Sequence, residues 1–185
     1  EAGAKWDLTE ALALTGAVFR LDRNNTRATD PVTGFTVLSG KSRTEGIELS
    51  LVGRVTDKLD ISLGYSLQDG EIRATTTAAP AGRPLAQLPR HQASAWGRYN
   101  FSKRFGLGLG VIHQSSQFAT ISNAVRLPAF TRIDAAAYYD LTDAVKLQLN
   151  VENLTDADYF PSAHTDNNIS TGRPLNAKLT LRMKF

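Results

Sequence analysis

Three histidines, His91, His113 and His164, are the only imidazoles of the chain, and it contains no cysteine. The histidines lie far apart, with no second His at metal-ligand spacing, so no side-chain-bound metal cofactor is expected. Without thiols, disulfide frameworks, thiolate metal sites and cysteine nucleophiles are excluded together. The string Gly106-x-Gly108-x-Gly110 would suit a dinucleotide only if a helix followed within a βαβ unit, and none does. Its glycines read instead as room for a neighbouring side chain or for a plug packed against their face. No Gly-x-Ser-x-Gly elbow accompanies the many Ser and Asp residues, so enzyme chemistry has no positive support. Asn-x-Ser/Thr triplets at Asn24, Asn100, Asn153 and Asn168 are better read as turn chemistry than as glycosylation acceptors.

The elements that must carry these residues are strands. From Leu175 to Phe185 the chain alternates without a break, Leu175, Ala177, Leu179, Leu181, Met183 and Phe185 against Asn176, Lys178, Thr180, Arg182 and Lys184. A strand projects successive side chains to opposite faces, so one face is apolar and the other polar and largely cationic. The same pattern covers Leu59 to Gln68, Val145 to Glu152, Ile47 to Val55 and Phe105 to Ile112, with weaker examples near 2 to 8, 11 to 22, 91 to 101 and 130 to 140. Nine strands and no helix are predicted.

Connections alternate in length. Thr9-Glu10, Thr56-Asp57-Lys58, Ser102-Lys103-Arg104 and Thr142-Asp143 are tight polar turns, whereas about 24 to 42, 73 to 90, 116 to 129 and 157 to 174 are long and rich in Gly, Pro, Thr, Asn and Ala. Short turns therefore gather at one end of an antiparallel sheet and long, mobile, exposed loops at the other. Outer-membrane barrels have that asymmetry, with long loops outside the cell. In such a barrel the charged set Glu48, Arg54, Lys146, Glu152, Lys178, Arg182 and Lys184 faces a polar interior, and Leu175 to Met183 faces lipid. Nine is an odd count, and Glu1 falls inside the pattern, so the chain is expected to be part of a larger barrel that does not close alone.

Composition agrees. No apolar run approaches the ~20 residues of a membrane-spanning helix. A net charge of +3 spread along the chain, with no basic run, gives no support to nucleic-acid binding. A passive porin-like barrel, an outer-membrane barrel enzyme and a soluble β-sandwich remain as alternatives at this level.

Glu1 to Leu8, Gly46-Ile-Glu-Leu-Ser-Leu51, Leu88-Pro-Arg-His91, Asn150-Val-Glu-Asn-Leu-Thr-Asp-Ala-Asp-Tyr-Phe160 and the terminal Phe185 resemble the C-terminal part of TonB-dependent outer-membrane receptors. The likeness is greatest to ferric siderophore receptors of the hydroxamate type, those for ferrichrome, coprogen or pyoverdine-like ligands. It implies an all-β, antiparallel transmembrane barrel of 22 strands, of which residues 1–185 supply about nine, with the plug domain upstream. It also implies a Gram-negative outer membrane, a ferric siderophore as transported ligand, the TonB-ExbB-ExbD complex acting through the plug, outer-membrane lipid, and a barrel-assembly machinery that reads Phe185.

A ferric chelate of amide, hydroxamate or catecholate oxygens is held by aromatic faces and hydrogen-bond donors, Arg included. The candidates in external positions are Arg73, Arg83, Phe118, Arg126, Tyr159, Phe160, His164 and Arg173, with Phe160 and His164 ranked first. Tyr159 and Phe160 also suit an aromatic girdle above the Asn153-Leu154-Thr155-Asp156 turn.

Overall fold

The computed structural model describes the whole chain except Thr26, Asp30, Pro31, Gly34, Ser39, Thr76, Thr77, Ala78 and Phe185, with backbone alone at Ala28, Thr29 and Val37. The assembly signal assigned to Phe185 thus lies outside the described residues. The strands in chain order are β1 (Ala2–Thr9), β2 (Leu12–Asn24), β3 (Arg27–Thr29), β4 (Thr36–Leu38), β5 (Lys41–Thr56), β6 (Leu59–Ile72), β7 (His91–Asn100), β8 (Phe105–Gln114), β9 (Gln117–Phe118), β10 (Arg126–Leu127), β11 (Phe130–Asp140), β12 (Val145–Glu152), β13 (Ser162–Thr165), β14 (Asn168–Ser170) and β15 (Asn176–Met183).

Nine of them form one antiparallel sheet in the order β1-β2-β5-β6-β7-β8-β11-β12-β15, while β3–β4, β9–β10 and β13–β14 are small hairpins within three of the long loops. Every neighbour in the sheet is the next long strand in the chain, so it is a meander. Among the described residues no ladder joins β1 to β15, and the sheet keeps two open edges.

Each short turn opens on a hydroxyl residue that satisfies the bend. Thr9 accepts from the Ala11 N–H, Thr56 from Lys58 and Leu59, Ser102 from Arg104 and Phe105, and Thr142 from Ala144 and Val145. These side chains offer the backbone an acceptor outside the ladder, which is why the strands stop there.

The pairing fixes the two faces. Leu147 stands opposite Leu181 and Leu149 opposite Leu179, while Lys146 meets Arg182 and Asn150 meets Lys178 on the other side. Apolar positions such as Leu109, 57% exposed, and Leu179, 67% exposed, form a continuous outer surface far larger than a water-facing patch. The charged set expected inside lies on the opposite face, where Arg54 pairs with Asp60 at 3.6 Å and Lys146 with Asp140 at 2.9 Å.

About 9–11 tilted residues cross the hydrocarbon layer. With 16 and 14 residues, β5 and β6 exceed that length, and at the long-loop end their outer face turns charged. There the Arg43 guanidinium, 2.7 Å from Asp22, holds that carboxyl below its usual range, helped by Arg20. At the other end Tyr99, Phe101 and Phe105 pack together, with ring centroids 4.8 and 5.7 Å apart, and Phe105 stands opposite Tyr139. These rings, not Tyr159 and Phe160, make an aromatic girdle.

The Gly-x-Gly-x-Gly string does what a packing device should. Gly110 is the cross-strand partner of Trp96, whose indole lies flat across β8. A Cβ on Gly108 would fall 2.5 Å from Trp96 Cζ2, and one on Gly110 2.4 Å from Cε3. Gly110→Ala is therefore expected to destabilise the barrel by about 1–3 kcal/mol through overpacking. In a Trp96→Ala background the same change should cost almost nothing, which denaturant unfolding of the four proteins in detergent would check.

Candidate functional site

The buried hydrophobic clusters lie under the long loops, since the barrel wall spends its apolar face on the outside. Ile72, Ala79 and Ile121 form one cluster with Leu85 against it, and Ala119, Leu127 and Ala163 form another, flanked by Val125, Phe160 and Ile169. Each cluster draws on separate loops. Of the long segments expected to be exposed, those at about 73 to 90, 116 to 129 and 157 to 174 each bury apolar side chains against a neighbouring segment among their described residues.

Hydrogen bonds repeat the pattern. The Gln87 N–H donates to the Phe118 carbonyl at 2.8 Å, and its Nε2 donates to the Ala163 carbonyl at 2.7 Å. Gln117 Nε2 donates to the Pro161 carbonyl at 2.9 Å. The Asp166 carboxylate accepts from Thr120 Oγ1 at 2.9 Å and from Ser122 Oγ at 2.8 Å. Asn123 Nδ2 donates to the Pro84 carbonyl at 3.2 Å.

The Asn153-Leu154-Thr155-Asp156 turn closes the base of the last loop. Asn153 is wholly buried with φ +56°, a left-handed conformation that Asn tolerates. Its Oδ1 accepts from the Ala157 N–H at 3.0 Å, completing the expected Asx-type turn. Its Nδ2 donates to the carbonyls of Ala157 and Arg173 at 2.9 and 3.0 Å. Asp156 Oδ1 accepts from the Leu175 N–H at 2.7 Å, so the box ties together both ends of the loop.

Beside it stands Arg132, which the sequence reading missed. It donates to Asp134 at 2.8 Å, Glu152 at 2.8 Å and the Tyr159 hydroxyl at 3.0 Å. Its Nε is buried without a partner among the described residues, which subtracts from the gain of the network. The signal was present as Arg132-x-Asp134, two opposite charges at strand period on one face of β11, but the alternation of that strand is weak.

The eight expected ligand residues separate into distinct settings. Phe118 and Arg126 are cross-strand partners of the β9–β10 hairpin, and both border a cleft of about 130 Å³ that Gln68, Leu88 and Arg90 also line. Arg83 is half-buried and donates to the Ile121 carbonyl at 3.2 Å. Arg73 pairs with Glu71 on the outer face of the β6 extension. Phe160 is part of the loop core, and His164 is exposed on β13.

Tyr159 turns inward and is buried, its ring 4.7 Å from Phe130 and pressed on Gly172, where a Cβ would fall 2.2 Å from the ring. The girdle position is thereby excluded, because the Arg132 hydrogen bond needs the hydroxyl inside. Arg173 stays largely exposed, 3.8 Å from Glu152. Of the other histidines, His91 meets the Tyr65 hydroxyl at 2.8 Å and His113 meets Thr131 Oγ1 at 2.9 Å. No group of three metal-ligating side chains occurs among the described residues.

Comparison with known proteins places these features. The family model "TonB dependent receptor-like, beta-barrel" matches residues 1–154. The probable TonB-dependent siderophore receptor PiuA of Acinetobacter baumannii is 32% identical over the whole chain, which covers 26% of that protein. The catecholate siderophore receptor Fiu of Escherichia coli K12 is 33% identical over the whole chain, covering 25% of that protein. The crystal structure of PiuA superposes with a TM-score of 0.84 at 30% identity, covering 99% of this chain and 28% of that one. The closed form of Fiu gives 0.82 at 28% identity, covering 99% and 27%. The chain thus spans about a quarter of the length of the curated relatives it matches.

Proposed function

This chain belongs to the TonB-dependent receptor β-barrel family, and we propose that it forms part of a Gram-negative outer-membrane receptor that binds a ferric siderophore and imports it with TonB-supplied energy. The observation that carries this reading is the match of 154 of its residues to the receptor barrel model, together with siderophore receptors 32–33% identical along its entire length. In that receptor the remaining barrel strands, to a total of 22, and the plug lie in the preceding sequence. TonB-ExbB-ExbD acts through the plug, the barrel-assembly machinery reads Phe185, and lipid covers the apolar outer face.

The ligand residues are drawn from Arg73, Arg83, Phe118, Arg126, Tyr159, Phe160, His164 and Arg173. Arg126 and Phe118 are favoured by the cleft they share, and Tyr159 and Phe160 act through the loop framework that they build.

Two chelate classes compete: the hydroxamate one expected from the sequence boxes and the catecholate one for which Fiu is named. A ferric tris-hydroxamate is uncharged and a ferric tris-catecholate strongly anionic. Arg90 and Arg126 line the cleft beside a single carboxylate, Asp69, and Arg83 lies in the adjoining loop, an excess of positive charge that favours the anionic class. Radioactive-iron uptake in cells lacking their other receptors tests this. The receptor should import a ferric catecholate only when TonB is present. Arg126→Glu should weaken catecholate binding about tenfold, the effect of ~1.4 kcal/mol, and leave hydroxamate binding unmoved. Uptake that persists without TonB would favour the porin-like reading, and hydroxamate-only uptake would reverse the class.

A further inference from the structure

We propose that the loop segments 79–90, 115–129 and 153–175 form one preassembled wall that stays closed on itself while ligand enters, so that access is governed elsewhere on the rim. The proposal rests on the receptor reading for its function, though not for its structural content. Three contacts join the first loop to the second, since the Gln87 amide, Arg83 and Asn123 bond across that seam. The second loop is joined to the third by Gln117 and by both oxygens of Asp166, and Gln87 Nε2 reaches the third loop directly. Every pair of loops is therefore bonded.

Beneath the bonds, Ala119 and Leu127 of the second loop pack with Ala163 of the third, flanked by Val125 of the second and Phe160 and Ile169 of the third. Swinging out any one loop alone would strip hydrogen bonds from partly buried carbonyls and bare an apolar cluster to water. Both penalties are absent when the three stay together, which is the condition for a cooperative unit. The Asp166 carboxylate is the positioning group at the centre, because a single side chain there holds Thr120 and Ser122 of the neighbouring loop and their turn.

Residues 1–185 contain no cysteine, so introduced thiols are the only ones in this part of the receptor, and any elsewhere are first replaced by serine. Two pairs, Ser122→Cys with Asp166→Cys and Gln87→Cys with Ala163→Cys, would fasten the third loop to the second and to the first. In the full-length receptor each pair, closed by oxidation or a short thiol cross-linker, should import ferric siderophore within about twofold of its reduced form. A loss of more than about tenfold on closing either cross-link, with ligand affinity kept, would show that the wall must open and would overturn the proposal.

Hydrogen exchange supplies an arm that does not depend on transport. Asp166→Ala, or the milder Ser122→Ala if the first does not assemble, should speed amide exchange in 79–90 as well as in 115–129 and 153–175. Faster exchange confined to 153–175 would sink the idea. If the parent receptor imports no ferric siderophore at all, the function reading fails, and this exchange result still decides the wall.

Discussion

Asn153→Ala should destabilise the barrel by about 3–5 kcal/mol and free the last loop, which makes it the most damaging single change expected here. Asn153 is fully buried and makes three hydrogen bonds, two to Ala157 and one to the Arg173 carbonyl. Alanine would leave those backbone groups unpaired in a dry site, at about 1–3 kcal/mol for each group that water cannot reach. It would also have to hold φ at +56°, which a β-carbon opposes by roughly 1 kcal/mol.

The variants separate these causes. Asn153→Gly relieves the backbone conformation and still loses every side-chain bond, so it should remain close to alanine. Asn153→Asp keeps the Oδ1 acceptor for the Ala157 N–H but turns an anionic oxygen on the carbonyls of Ala157 and Arg173, so at neutral pH it should be at least as damaging as alanine. Unfolding midpoints in detergent give the order, and proteinase K cleavage within residues 157–174 on intact cells reports release of the loop. Cleavage no faster than in the parent would count against the clamp.

Arg132→Met should cost about 2–3 kcal/mol, less than a fully buried ion pair would, because Asp134 and Glu152 keep partial access to water. Removing the guanidinium leaves two carboxylates side by side and the Tyr159 hydroxyl without its donor. The two predictions are coupled through one side chain. Asp134 accepts from Arg132 through Oδ2 at 2.8 Å and from the Asn153 backbone N–H through Oδ1 at 2.8 Å. The double variant should consequently be less damaging than the sum of the singles by about 1 kcal/mol. Strict additivity in the same unfolding measurement would mean that the strand wall and the loop base act independently. Tyr159→Phe, which removes only the hydroxyl, should cost no more than about 1.5 kcal/mol.

The two sites also mark where reading the chain succeeds and fails. The Asn153 box was legible because its chemistry is local. The Asn side chain bonds the backbone four residues on, and the residue type itself signals a turn. The glycine string was legible for a related reason, since alternate glycines on one face of a strand leave space that something must fill. What filled it, Trp96, comes from the neighbouring strand, and only the pairing of Trp96 with Gly110 identifies it.

Arg132 escaped because β11 alternates weakly, Ala135, Ala136 and Ala137 being alike on both faces. Tyr159 was assigned to a girdle because its position after a turn at the membrane edge is the same whether the ring points out or in. The Arg132 side chain and the bare Gly172 select the inward choice, and they lie 27 residues before it on another strand and beyond it on the far side of its own loop.

By itself, then, the sequence determined the nine strands of the main sheet, though not the six short hairpin strands within the long loops, together with the two faces, the ends at which short turns and long loops gather, and the family resemblance. All of these rest on a period of two or on short boxes, which are set within a few residues of one another. Only the tertiary structure decided that three long loops lock into one body, that Asp166 and Gln87 hold it, and that Arg132 supports the last loop from below. Those contacts join residues as far apart as the 76 positions between Gln87 and Ala163. A loop has no periodicity to reveal its partners, so they are chosen by which apolar and polar groups the curved sheet brings into reach.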